Sequence, residues 1–180
     1  MNASITTIRR GTQADAAALA AFAERTFVET FGPDNRPEDM KVHLAATYGV
    51  EKQAQELADT STITLLAFDG KTLIAYAQIR REPPPACVAH EGALQIHRFY
   101  VDRSAHGRGI AQRLMASVHE AARDVGAKQL WLTVWEHNPR AMAFYRKADF
   151  VDVGSTDFFV GPDRQTDRVF VCDVQPAAIR

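Results

Sequence analysis

Apolar positions along this chain keep two different periods, and the change from one to the other marks out its elements. In "TQADAAALAAFAERTFVETF" (12–31), Leu19, Phe22, Ala23, Phe27 and Phe31 fall near one face of a helix. "ITTIRRG" (5–11) before it reads as a short strand. Pro37, in "GPDNRPEDMKVHLAATYG", can open a second helix, and residues 50–59 read as a third. "STITLLAF" and "KTLIAYAQIRR" flank Asp69-Gly70, a strong hairpin signal. The prolines of "EPPPACVAHEG" predict a loop, and the alternation and aromatics of "ALQIHRFYV" (93–101) predict a strand.

From Gly109 the period becomes helical: Ile110, Leu114, Val118, Ala121 and Val125 share a face, and Gly126 ends the run. "KQLWLTVW" (128–135) reads as a buried strand. Asn138-Pro139 supplies a cap and first residue for a helix to about Ala148, and two strands close the chain around "GPD" (161–163). Strands alternate with helices after an antiparallel start. The expected fold is α/β, a mixed sheet with helices on both faces.

Composition narrows the class without naming a function. The 180 residues suit one domain, 1–180, and 46% hydrophobic with 24% charged residues is ordinary for a globule. With 21 basic and 22 acidic residues, the balance gives no reason to expect nucleic acid. Cys87 and Cys172 match no zinc spacing, and none of the six histidines has paired ligand spacing, so no metal is expected. "MNASITTIRR" lacks the apolar core of a signal peptide, and no run approaches the ~20 apolar residues that span a bilayer. A reduced cytoplasmic protein without a membrane partner is the expectation.

The chemistry concentrates in "HRFYVDRSAHGRGIAQRLMASV" (97–118), where Gly107 and Gly109 stand just before a helix. Glycine costs up to about 1 kcal/mol against alanine within a helix, so a close backbone approach to a ligand is the reason sought. A strand, a glycine turn and a helix form an anion site: the first helical N–H groups have no helical partner, and the dipole favours negative charge. The turn is neither a P-loop, since it continues Gly109-Ile110-Ala111, nor a dinucleotide fingerprint, since Gln112 stands at the third glycine position.

The stretch resembles motif A of the GNAT acetyltransferases, Arg/Gln-x-x-Gly-x-Gly/Ala, across His106-Gly107-Arg108-Gly109-Ile110-Ala111. Histidine stands where arginine or glutamine is usual; its backbone N–H can still bind phosphate. "NPRAMAFYRKADF" (138–150) resembles motif B, with Asp149 in place of the usual glycine. "WLTVWEHNPRAMAFYRKADF", "FFVGPDRQTDRVF" and "ETFGPDNRPEDM" are similar to the PaiA-type polyamine acetyltransferases. The resemblance implies the GNAT fold, a mostly antiparallel mixed sheet with a splayed parallel strand pair, and acetyl-CoA as co-substrate with no metal. It also implies direct transfer in a ternary complex to a primary amine, a polyamine being the narrower expectation.

The resemblance assigns roles residue by residue. Backbone groups of Phe99, Tyr100 and Val101 would pair with the pantetheine arm, and one N–H would polarise the thioester oxygen. His106 to Ala111 would wrap the pyrophosphate. Tyr145 matches the general acid, a phenol protonated at neutral pH that can serve a leaving thiolate. Asn138 would reach the cofactor arm while its side-chain oxygen caps the helix, and Lys147 would meet a phosphate or remain solvated. Candidates for the base, acting through water, are Glu136 and His97. Glu29, Asp34, Glu38 and Asp39 lie in the segment that covers the acceptor in this family. They would bind a cationic polyamine or form a solvated face; Glu29, Glu38 and His97 are taken as acceptor-side residues. Two alternatives stay open: acetylation of a protein N-terminus or antibiotic amine, and a non-catalytic acyl-CoA-binding regulatory module. The expected partner is a small-molecule amine, with a second copy in a homodimer also admitted.

Overall fold

The computed structural model describes residues 6–89 and 92–176. Ile5, the expected start of the first strand, and His90 and Glu91 of the proline-rich loop lie outside the described residues, as does the first half of the N-terminal stretch read for a signal peptide. Seven strands are described: β1 (Thr6–Arg10), β2 (Thr62–Asp69), β3 (Thr72–Arg81), β4 (Leu94–Val101), β5 (Gln129–Trp135), β6 (Val151–Val160) and β7 (Asp163–Asp173). The helices are α1 (Ala16–Phe31), α2 (Pro37–Thr47), α3 (Val50–Ala58), α4 (Ile110–Asp124) and α5 (Pro139–Lys147). The sheet order is β1-β2-β3-β4-β5-β7-β6. Every neighbouring pair is antiparallel except β4 with β5.

Local chemistry sets the boundaries. Gly70 takes φ 60° in the β2–β3 turn and Gly126 takes φ 73° after α4, a left-handed backbone that side chains disfavour. Pro139 follows the cap Asn138, whose Oδ1 accepts the Ala141 N–H at 3.0 Å. The end of α5 departs from the glycine rule, because Asp149 itself takes φ 65° while the Phe150 N–H donates to the Tyr145 carbonyl at 3.0 Å. A left-handed non-glycine residue costs about 1–2 kcal/mol, less the 0.4–1 kcal/mol or so that glycine adds to unfolded-chain entropy. Asp149→Gly is therefore expected to stabilise the protein by about 0.5 kcal/mol in chemical denaturation.

Helices cover both faces of the sheet, as expected, and strand alternation decides which. Leu65, Ala67, Ala75 and Ala77 pack with Ile110, Leu114 and Val118 of α4 on one face. Leu66 and Tyr76, between them in sequence, pack with Leu19, Phe22 and Phe27 of α1 on the other. Of the expected α1 face, Leu19, Phe22, Ala23 and Phe27 are buried and Phe31 is half-buried against them. No helix among the described residues is long and apolar enough to cross a membrane.

Candidate active site

The parallel pair is joined only at Leu94–Leu130 and Gln95–Trp131. The pairing of β4 with β3 explains where it parts. Ile79 faces Ile96 and Gln78 faces Arg98, so His97 is an extra residue, a β-bulge. The bulge resets the alternation: Leu94 and Ile96 share the α4 face with Phe99 and Val101 rather than with Arg98 and Tyr100. Arg98, 7% exposed, anchors the strand after the bulge. Its Nη1 donates to Glu56 Oε2 at 2.6 Å and to Gln78 Oε1 at 2.7 Å. Beyond Gln95, β4 thus keeps β3 as its strand partner and opens away from β5, exposing a run of backbone able to take an extended ligand arm.

A cavity of 530 Å³ passes through this gap. Its lining includes His97, Phe99, Tyr100 and Val101 of β4, Thr133 and Trp135 of β5, and Asn138 and Tyr145 of α5. At one end lie His106 and Ala111, from the glycine turn. Gly107 (φ 75°) and Gly109 (φ 73°) are both left-handed, and a Cβ on either would meet nothing within 4 Å. The glycines therefore serve two ends: they permit the turn, and they leave open space in front of α4. Gly109 stands at the α4 N-cap with no side-chain cap, so the first N–H groups of the helix are available to an anion. The side chains are occupied elsewhere. His106 Nε2 donates to the Val101 carbonyl at 3.0 Å, Arg108 Nη2 meets Asp69 Oδ2 at 2.7 Å, and Ile110 is buried in the core. Histidine at the first motif position thus ties the turn back to the end of β4, and the backbone is what remains for phosphate.

Tyr145 is 7% exposed and packs edge-on to Phe99, ring centroids 6.2 Å apart, with Phe144, Phe150 and Phe170 around it. Burial pushes its hydroxyl well above the ordinary phenol range, so it stays a proton donor at any physiological pH. Asn138 spends one oxygen as the α5 cap and borders the cavity.

The other end of the cavity opens on the α1 face. Phe27, Phe31, His43, Trp135 and Phe158 supply aromatic walls, and His43 stacks on Phe27 at 4.5 Å. Glu29 and Asp34 border this end; Glu29 is paired with Arg25 at 3.1 Å and lies 3.9 Å from Arg103. His97 borders it too, and burial, then Arg98 and Arg80, pulls its imidazole down to about 3, which keeps it neutral.

Glu38, Asp39, Glu136 and Lys147, expected at the site, are not brought into the cavity. Glu38 is exposed on the first turn of α2, where acids suit the helix dipole. Asp39 beside it is buried against Gly161 instead. Glu136 is exposed just past β5, 3.8 Å from His137, while its backbone N–H donates to the Thr166 carbonyl. Lys147 is exposed on the last turn of α5. Sequence reasoning missed Asp167, a buried carboxylate of β7 that borders the cavity. Its signal was a lone acid in "TDRVF", indistinguishable from a solvated edge position. Arg103 and Arg140 at the rim were also missed. Among the described residues no group of His, Cys, Asp or Glu is arranged to hold a metal.

A sheet parted at one parallel pair, an uncapped helix start on one side and an aromatic cleft on the other, with a buried phenol between, defines an acyl-transfer class of protein. The Acetyltransferase (GNAT) family model matches residues 21–150. The chain belongs to this family, has the GNAT fold, and is an acetyl-transferring enzyme. It is 34% identical over 148 residues to an uncharacterized N-acetyltransferase in the pepI 3′ region of Lactobacillus delbrueckii subsp. lactis, covering 82% of this chain and 85% of that one. It is 31% identical over 157 residues to an uncharacterized N-acetyltransferase of Mycobacterium tuberculosis H37Rv, covering 87% and 96%. The structure of PaiA N-acetyltransferase from Thermoplasma acidophilum, in complex with coenzyme A, matches with TM-score 0.76 at 18% identity, over 94% of this chain and 99% of that one. At that identity the likeness is one of fold.

Proposed function

We propose that this enzyme transfers the acetyl group of acetyl-CoA to a primary amine, by direct attack in a ternary complex. The observation that carries this reading is the cavity running through the sheet between β4 and β5. It joins a helix start open to an anion on the α4 side to an aromatic cleft on the α1 side whose rim carries Glu29 and Asp34 beside Arg103 and Arg140. The residues fit the co-substrate: the glycine turn is open, the first α4 N–H groups are uncapped, and β4 offers free backbone edge. The similarity in fold to a coenzyme A complex supports the same assignment. The thioester supplies an activated acetyl group; the β4 backbone would orient its carbonyl, and Tyr145 would protonate the leaving sulfur. Both cysteines are free thiols, Cys87 half-buried and Cys172 buried, which supports a reducing cytoplasm as the setting.

A polyamine is the narrower proposal for the acceptor. Glu29 and Asp34 at the rim would attract outer ammonium groups, and aromatic faces favour cations. Free-thiol release from acetyl-CoA tests the reading on three probes: spermidine, phenethylamine and a short peptide with a free N-terminus. Spermidine is expected to be turned over fastest. At a partly exposed rim each carboxylate contributes roughly 0.5–1 kcal/mol. Glu29→Gln with Asp34→Asn should therefore raise the KM for spermidine about fivefold or more, with the effect fading in high salt. The KM for acetyl-CoA should not change, and Glu38→Gln, outside the cavity, should do nothing. A preference for phenethylamine or the peptide, with no salt dependence, overturns the polyamine proposal and leaves the acetyltransferase.

A further inference from the structure

We propose that Asp167 takes the proton from the acceptor amine. The inference rests on the acetyltransferase reading above. Asp167 lies on β7 with Trp135 of β5 opposite it on one side and Thr156 of β6 on the other, level with the open end of the parted strands. It is 5% exposed and borders the cavity, and its Oδ1 is buried with no hydrogen-bond partner among the described residues. A carboxylate oxygen left unpaired in the interior is costly, and such groups persist where a ligand supplies the missing partner. An ammonium group is that partner in charge and in donor capacity.

The surroundings keep this carboxylate free for the task. Burial is the main influence and opposes ionisation, the Thr133 hydroxyl against it favours the ionised form, and Glu136 as a nearby like charge again opposes it. Together they raise it to about 6, ionised at neutral pH yet more basic than an ordinary aspartate. Arg168, next to it in β7, is held by Asp152 at 2.7 Å, and Arg98, which also borders the cavity, by Glu56 at 2.6 Å. Besides Arg98, the other titratable groups bordering the cavity are His97, Tyr100 and His106 on and after β4, Glu29, Asp34, His43 and Tyr48 on the α1–α2 side, Arg103 before α4, and His137, Arg140 and Tyr145 at the start of α5 and along it. Against the two candidates from sequence, Asp167 has the geometry. Glu136 is exposed and borders no part of the cavity, and His97 is held neutral and weakly basic.

The step balances. An ammonium N–H bond breaks toward Asp167, directly or through one water, and the electron pair stays on nitrogen. That pair forms the amide C–N bond as the thioester C–S bond breaks. The sulfur takes the Tyr145 proton, the second amine proton restores Tyr145, and Asp167 releases its proton to solvent.

The test is Asp167→Asn, assayed with acetyl-CoA and whichever of the three probe amines the wild type turns over fastest. At pH 7 kcat/KM for the amine should fall about 10²-fold or more, while acetyl-CoA affinity by calorimetry is unchanged. The acid limb of the wild-type profile, rising as Asp167 ionises near pH 6, should vanish, and the deficit should narrow toward pH 9–10, where more amine arrives neutral. Because the raised carboxylate is least favourable to the fold when ionised, the melting temperature of the Asn variant at pH 8 should equal or exceed that of the wild type. Should Asn disturb packing, Thr133→Val is the second variant: losing the hydroxyl should move the acid limb upward. A rate within threefold of wild type with the limb intact, or a loss equal at every pH, overturns the role of Asp167 alone. A wild-type enzyme that binds acetyl-CoA and acetylates no amine overturns the functional reading and this role with it. Carbon-13 titration of labelled aspartates in the unliganded protein separates the cases, since a resonance titrating near pH 6 and missing in the Asn variant belongs to the carboxylate itself.

Discussion

Tyr145→Phe is expected to lower kcat by about 10²-fold or more, because it removes one proton donor and nothing else. The ring is what packs. It sits among Phe99, Phe144, Phe150 and Phe170, with centroids 5.3 to 6.4 Å away, and phenylalanine keeps each of those contacts. Folding stability should therefore change by less than about 1 kcal/mol. Burial holds the hydroxyl protonated, and on the proposed reading it would donate to the leaving sulfur in the transition state rather than bind the ground state. The KM for acetyl-CoA should barely move, and kcat and kcat/KM should fall together. Steady-state kinetics across pH 6–9 decide the matter: kcat within threefold of wild type would make Tyr145 a packing residue and place the acid elsewhere.

Gly109→Glu is expected to abolish measurable acetyl-CoA binding in a folded protein. The position is left-handed at φ 73°, so any side chain there costs about 1–2 kcal/mol, a minor part of the 5–15 kcal/mol typical of a domain. Nothing lies within 4 Å of an added Cβ, so no clash adds to that. The carboxylate would occupy the space in front of the α4 N-terminus that a pyrophosphate needs, and oppose it by charge. Juxtaposed like charges cost several kcal/mol, about 100-fold or more in affinity. Gly109→Ala separates the two effects, since it carries the backbone strain without the charge and should weaken binding far less. Calorimetry with acetyl-CoA, beside a melting curve for each variant, reads the result; equal affinity in wild type and the folded Glu variant would remove the phosphate from this turn.

The elements themselves were legible because their determinants are local. The turn at Asp69-Gly70, the α4 stripe from Ile110 to Val118, the Asn138-Pro139 start of α5 and the glycine end at Gly126 each depend on a few neighbouring residues. A hydrophobic period or a φ preference is read within one or two turns of chain. The pair of glycines before α4 was legible for the same reason. Its surroundings were not: that His106 would reach the Val101 carbonyl and Arg108 would reach Asp69 depends on how β4 and the β2–β3 hairpin are placed.

What tertiary structure alone decided is the working geometry of the gap. The bulge at His97 exists because β3 pairs Ile79 with Ile96 and then Gln78 with Arg98, a register set by contacts across some twenty residues. Without it Phe99 would share a face with His97 and Gln95, as simple alternation implies. Asp167 is the stronger case. In sequence it is one polar residue in an alternating strand, no different from Asp157 or Asp163. It becomes a buried carboxylate because β7 inserts between β5 and β6 and because α1 and α2, more than a hundred residues earlier, roof the cleft. Glu136, favoured by its place just past the end of β5, ends up in solvent and outside the cavity. Burial of a charge is a property of the assembled sheet and its covering helices, so the chain's local pattern determined the framework and the glycine turn, and packing between distant segments determined which carboxylate lies buried beside the cavity.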